Sequence, residues 1–131
     1  MSIQLKNLYI CETAVIAFNG QLSVINLTSE IVSSSFPALC PKLSVVVNVI
    51  GDISTYRETI EIVDLNSSEV IAKIDGETEI KNGGENNFVG NFLNTVFPRE
   101  GKYWIKVSIN RDNVITEQIN HNHCIEVKKS K

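Results

Sequence analysis

The passage Tyr103-Trp104-Ile105-Lys106-Val107-Ser108-Ile109, entered through Phe97-Pro98-Arg99-Glu100-Gly101-Lys102, decides how the rest of the chain is read. Proline and glycine close one connection. After them Tyr103, Ile105, Val107 and Ile109 fall on one face of an extended segment, and Lys102, Trp104, Lys106 and Ser108 fall on the other. Strict alternation of this kind describes a half-buried antiparallel strand, with Trp104 turned outward between two lysines.

The same grammar recurs outward from that strand. Leu8 to Phe18 is largely apolar, and Asn19-Gly20 separates it from Gln21-Leu22-Ser23-Val24-Ile25, which predicts a hairpin with a type I′ turn. Ser33-Ser34-Ser35 and the prolines Pro37 and Pro41 predict an irregular connection between sheets. Leu43 to Ile50 is β-branched and apolar almost throughout, as a central strand covered on both faces requires.

Tyr56 to Val63 alternates, with Ile60 and Ile62 inward and Arg57, Thr59 and Glu61 outward. Asp64-Leu65-Asn66-Ser67-Ser68 reads as a turn, and Glu69 to Ile74 as a strand closed by Asp75-Gly76. Lys81 to Asn87 reads as a mobile loop before an apolar stretch from Phe88 to Leu93, with room for one short helix near Asn91 to Val96. Asn110-Arg111-Asp112-Asn113 reads as a turn, Val114 to Ile119 as a returning strand, and Cys124 to Lys128 as the last one.

No window carries capped helical periodicity, and no repeat is present. Strands numbering about eight or nine, separated by turn signals, make an all-β chain: an immunoglobulin-like antiparallel β-sandwich of two sheets. At 131 residues it is expected to form a single domain spanning residues 1–131.

Composition narrows the function classes. Hydrophobic residues make up 43% and charged residues 21%, and the net charge is −3. Mean hydropathy is +0.02 with a pI near 5.4. These values fit a soluble globular chain and offer no general attraction to phosphate backbones, so no nucleic-acid partner is expected. The basic cluster Lys128-Lys129-Lys131 reads as a solvated tail. No apolar run approaches the roughly 20 residues that cross a bilayer, so no membrane association is expected. The three cysteines, Cys11, Cys40 and Cys124, are odd in number and widely spaced. Together with an N-terminus lacking a basic, apolar leader, they point to a cytoplasmic protein with reduced thiols.

Motifs for chemistry are sparse. His121, His123 and Cys124 hold metal-capable atoms, but a strand would send Cys124 away from the two imidazoles, and no second ligand pair exists to close a zinc site. Cys11 lacks a base nearby in sequence, and Cys40 reads as an apolar loop anchor. Asp112 with Asn110 and Asn113 suits a tight turn as well as calcium. Glu58, Glu61, Asp64 and Glu69 read as solvated carboxylates. Phosphate loops, nucleophile elbows and zinc-protease motifs do not occur. No catalytic residue, cofactor or metal is assigned, and the chain is expected not to be an enzyme.

Two groups of residues carry a family resemblance. They are Cys11-Glu12-Thr13-Ala14 with Asn19-Gly20-Gln21-Leu22-Ser23, and Phe36-Pro37 with Phe97-Pro98-Arg99-Glu100-Gly101-Lys102-Tyr103. In order and spacing they resemble a bacterial family known as a domain of unknown function. That resemblance implies a small immunoglobulin-like sandwich without an assigned catalytic site. Gly101-Lys102-Tyr103 also resembles the tyrosine corner of such sandwiches, in which the ring packs inside and the hydroxyl bonds a backbone group upstream.

The functional expectation is a non-enzymatic protein-interaction or structural accessory module. It would act through sheet edges and exposed strand faces, on a protein partner or by self-association into a homo-oligomer, with Trp104, Lys102 and Lys106 as the interface candidates. The alternative is binding of a small ligand or carbohydrate by loops at one end, among them Asp52 to Thr55 and Asn82 to Asn87.

Overall fold

A computed structural model describes residues 3–81, 84–111 and 123–130. Among them nine strands form: β1 (Gln4–Ile16), β2 (Leu22–Leu27), β3 (Glu30–Ser33), β4 (Ala38–Ile50), β5 (Ser54–Asp64), β6 (Val70–Ile80), β7 (Glu85–Phe97), β8 (Gly101–Arg111) and β9 (His123–Lys129). One sheet has the order β2-β1-β4-β7, and the other β3-β9-β8-β5-β6. The chain is therefore all-β and folds as a two-sheet sandwich, as the alternation of apolar residues demands.

Among the described residues every strand pairing but one is antiparallel. The exception corrects the wholly antiparallel expectation: β3 lies parallel to β9, with Glu30 opposite Glu126 and Ser33 opposite Lys129. A chain that leaves β2 in one sheet and joins the other beside the last strand can run along it in that direction. The same pairing corrects the reading of the lysine tail. Lys128 and Lys129 belong to β9, and Lys128 Nζ lies 3.1 Å from Glu30 and 3.4 Å from Glu126.

The core lies between the sheets. Leu8, Ile10, Leu43, Val45, Val47, Val49 and Phe92 face Tyr56, Ile60, Ile62, Tyr103, Ile105, Val107, Ile109, Ile125 and Val127, all of them buried. As expected, β4 is central and closed on both faces: residues 43–49 are buried without interruption. Its inward positions change parity, from Ala38 at one end to Leu43 onward. The partner strand changes with it, from Phe97 to Phe92. Between them Asn94 adopts a left-handed φ of 54°, near Pro41, which has no N–H to give to a ladder. Pro41 thus sits inside a strand that begins at Ala38, where an irregular connection was expected.

Three further expectations change. The first hairpin has no type I′ turn. Gly20 N–H donates to Ala17 O at 2.8 Å, and Gly20 alone takes a positive φ there, 89°, while Asn19 does not. This is a type I turn followed by a left-handed glycine, the usual three-residue solution. Asp75-Gly76 does not end a strand, because β6 runs on to Ile80. A Cβ on Gly76 would overlap Cε1 and Cζ of Phe88, so the glycine sits where an aromatic ring from β7 presses onto β6. The segment from Asn91 to Val96 is strand rather than helix, continuous with β7. Asp112, Asn113, the segment from Val114 to Ile119, and His121 lie outside the described residues, as do Asn82 and the Lys131 end of the tail.

Candidate interaction surface

The predicted tyrosine corner forms at the start of β8. Tyr103 is fully buried, its hydroxyl donates to Arg99 O at 2.7 Å, and Arg99 N–H donates back to that hydroxyl at 3.3 Å. Phe97 meets the ring edge-on, with centroids 4.9 Å apart and an interplanar angle of 77°. Burial raises the phenol above its ordinary value, so it remains a neutral donor.

Asp64 joins this corner, which corrects its reading as a solvated turn residue. Arg99 Nε donates to Asp64 Oδ2 at 2.9 Å, and Asn66 N–H donates to Oδ1 at 2.9 Å. The Asp64 side chain is 2% exposed and that of Arg99 51%. Burial pushes the carboxyl up, but the Asn66 N–H, the Arg99 guanidinium and Ser67 together hold it below its ordinary value.

Glu58 is the larger correction. It points inward from β5 between Tyr56 and Ile60 and is 0% exposed. Neither carboxyl oxygen has a hydrogen-bond partner among the described residues, although the Thr78 hydroxyl on β6 lies close enough to favour the charged form a little. Burial pushes the carboxyl up to about 8. The alternation of Tyr56, Ile60 and Ile62 already places position 58 on the inward face. Residue type argued for solvent, and backbone period prevailed.

The outward faces of the two sheets differ in kind. On the five-stranded sheet charged residues oppose one another across strands: Arg57 faces Glu77, Glu61 faces Lys73 on one side and Lys106 on the other, and Lys102 faces Glu126. Arg57 and Glu77 form an ion pair at 3.7 Å. Trp104 lies in this face, half-buried, in register with Val63 and Cys124. Beside it is a hollow of about 320 Å³ lined by Glu61, Val63, Leu65, Val70 and Lys106. The outward direction expected for Trp104 is thus observed, and the two flanking lysines have acidic residues opposite them in register.

The outer face of the four-stranded sheet carries fewer charges: Lys42 opposite Leu93, and Lys6 paired with Glu85 at 3.4 Å. Its middle is a ladder of polar groups: Ser44 Oγ donates to Asn91 Oδ1 at 2.7 Å, and Asn48 Nδ2 donates to Asn87 Oδ1 at 2.8 Å and to the carboxylate oxygen Oε1 of Glu85 at 3.1 Å. Around that ladder large apolar side chains are exposed: Val15 at 52%, Ile25 at 50%, Leu39 at 61%, Leu93 at 67% and Val96 at 47%. The cause lies in the pairing. β1 stays with β4 only as far as Cys11 opposite Ser44, whereas β1 and β2 remain paired out to Ile16 and Leu22. The hairpin therefore projects beyond the sheet, carrying Val15, Ile16 and Phe18 into solvent.

The remaining sequence candidates are dispersed. Cys11 is buried and Cys40 half-buried, and burial raises both thiols above their ordinary values, so neither is an activated nucleophile. Cys40 sits in β4 rather than in a loop. His123 and Cys124 start β9 and border an open groove of about 290 Å³ with Leu27, Thr28 and Ser29. Among the described residues no three His, Cys, Asp or Glu side chains gather as a metal site, and no helix is long and apolar enough to cross a membrane. Of the two loop segments expected at one end, Ser54 and Thr55 belong to β5 and Glu85 to Asn87 to β7; Gly51, just before the first, donates its N–H to Gly84 O at 2.8 Å.

No curated protein matches the chain. Among solved structures, the C-terminal domain of wzt superposes with a TM-score of 0.58 at 13% identity, covering 98% of this chain and 75% of that one. The CARDB domain of a Pyrococcus furiosus protein, solved in complex with di-metal ions, aligns with a TM-score of 0.44 at 14% identity, covering 99% of this chain and 100% of that one. At 13% identity the likeness to the C-terminal domain of wzt shows the fold alone. A family model matches residues 6–120, nearly the whole length, and the chain belongs to that family, the family of unknown function DUF6941.

Proposed function

We propose that this protein is a non-catalytic interaction module, an accessory or structural subunit that engages other protein through the outer face and edge of the four-stranded sheet. One observation carries the reading: two outer faces of one sandwich, one laced with opposed charges and the other, with fewer charges, presenting exposed Val15, Ile25, Leu39, Leu93 and Val96 around a ladder of Ser44, Asn91, Asn48 and Asn87. Charge-poor, apolar faces of this kind are the ones protein contacts cover. Trp104, the anchor expected from the sequence, sits on the charged face and serves as the comparison site.

The test uses single substitutions on each face. Ile25→Lys and Leu93→Lys place charge on the exposed apolar positions of the four-stranded sheet, and Trp104→Ala removes the aromatic from the other. Solution mass by light scattering and recovery of bound protein on an affinity-tagged chain are the readouts, with circular dichroism confirming the fold. The lysine variants are expected to lose assembly or binding and Trp104→Ala to keep it. Loss with Trp104→Ala alone would move the surface to the five-stranded sheet, and no change with any variant would refute the proposal.

A further inference from the structure

We infer that β6 is a pH-sensitive flap: ionisation of the Glu58 carboxyl releases this edge strand from β5 while the rest of the sandwich stays closed. Glu58 is wholly buried, and neither of its oxygens has a hydrogen-bond partner among the described residues. A core holds such a group as a neutral acid and resists it as an anion. Where the anion reaches water depends on what covers it.

The cover is thinnest toward β6. Directly across the two ladders from Glu58 stand Ile109 of β8 on one side and Gly76 of β6 on the other. Ile109 is a full-sized, buried side chain, whereas Gly76 offers none. That space is taken by the Phe88 ring of β7, which lies where a Cβ on Gly76 would be and is itself only partly buried. β6 is the last strand of its sheet and pairs with β5 alone. At its seam with β7, Asn86 Nδ2 donates to Glu79 O at 2.8 Å. Displacing β6 and the Phe88 ring therefore wets the carboxyl and leaves the four-stranded sheet and the β5–β8 pairing in place.

The charges around Glu58 do not hold it as an anion. Tyr56, the ionisable neighbour on its own strand, gives its hydroxyl to Asp52 O at 2.9 Å. Inward from β6 come Ile74 and Thr78, from β7 Phe88 and from β4 Val47, while Lys73, Asp75, Glu77 and Glu79 lie on the exposed side of β6. Arg111 ends β8 in register with Tyr56, so it enters the test.

Burial, opposed slightly by the Thr78 hydroxyl, pushes the carboxyl up to about 8 in the closed chain, whereas an opened flap lets it ionise near the ordinary 4.5. Between those values the opened form keeps fewer protons than the closed one. Each pH unit there favours release about tenfold, and the gain levels off above the upper value. Release is rarest in acid. It bares the backbone edge of β5, which the closed chain keeps paired.

Hydrogen exchange of single amides from pH 5 to pH 8, corrected for the intrinsic exchange rate, tests the flap. The β6 amides bonded to β5 are expected to be at least tenfold less protected than those of β4 at every pH, and to lose about a further tenfold per pH unit. Equal protection in β6 and β4 would mean that β6 opens only with the whole fold. Protection in β6 that ignores pH would mean that it frays with Glu58 still covered. Either result overturns the proposal. Glu58→Gln should abolish the pH dependence in β6. Phe88→Ala, which thins the cover without touching the carboxyl, should lower β6 protection at pH 5 and shrink its pH dependence, and an unchanged β6 profile in that variant also overturns the flap. Arg111→Gln should leave the β6 profile as in wild type; a changed profile would pair Glu58 with that arginine and refute the mechanism.

Discussion

Glu58 should make this protein lose stability as pH rises through neutrality, opposite in sign to the usual acid lability of folded carboxylates. Its folded value is pushed to about 8 from an ordinary 4.5. The neutral acid is the form the core accepts, so below about pH 4.5 the folded chain carries no penalty. Between 4.5 and 8 the unfolded chain releases its proton while the folded chain keeps it. Each pH unit in that window then costs up to about 1.4 kcal/mol, so the full loss approaches about 5 kcal/mol, with about 3 kcal/mol reached by pH 7. At roughly 3–5 °C per kcal/mol for a chain of this size, the melting temperature should fall by on the order of 10–20 °C between pH 5 and pH 8.5.

Glu58→Gln keeps the shape and removes the titration, which isolates the effect. Thermal unfolding of both proteins, followed by circular dichroism in steps from pH 4.5 to pH 9, measures it. The two curves should lie close together at the acid end and separate as pH rises, with Glu58→Gln the more stable above neutrality. Curves that stay parallel across this range would show that the carboxylate is solvated or paired, and the argument from burial would fail.

Other groups give shorter tests. Gly76→Ala should cost about 1–3 kcal/mol in urea unfolding, because the added Cβ meets the Phe88 ring. That cost should shrink in a Phe88→Leu background, and equal costs in both backgrounds would disprove the contact. Tyr103→Phe removes both hydroxyl contacts with Arg99 and should cost about 1–2 kcal/mol while leaving the fold intact. A loss indistinguishable from zero would mean the ring alone makes the corner. Asp64 is held below its ordinary value, so its contribution is present above about pH 4 and is lost as pH falls through its folded value. Asp64→Asn should therefore flatten the acid limb of the unfolding profile below pH 4, and an unchanged limb would assign that sensitivity elsewhere.

Much of this architecture is legible residue by residue, for a physical reason. Side chains alternate across a strand with a period of two, so apolar residues spaced that way mark both the strand and its buried face. That rule suffices for β8 and for the outward direction of Trp104, while an unbroken β-branched run marks the closed centre of β4. The tyrosine corner is legible only as a resemblance of Gly101-Lys102-Tyr103 to that motif, and the structure supplies Arg99, four positions upstream, as the backbone group the hydroxyl bonds.

Features that depend on neighbours distant in sequence emerge only once the sheets are assembled. Asp75-Gly76 looks like a turn until Phe88 from the other sheet is seen to need the missing Cβ. Asp64 looks solvated until Arg99, thirty-five positions away, closes over it. Glu58 faces inward by period, but what surrounds its carboxyl, including Thr78 on β6, depends on the assembled sheet. The candidate surface belongs to the same class. Sequence alone marks residues 13–29 as uncharged, whereas the order β2-β1-β4-β7 makes that segment an edge and gathers Leu39, Leu93 and Val96 onto the same outer face. Periodicity acts within one strand, while exposure is a property of the strands that lie next to it.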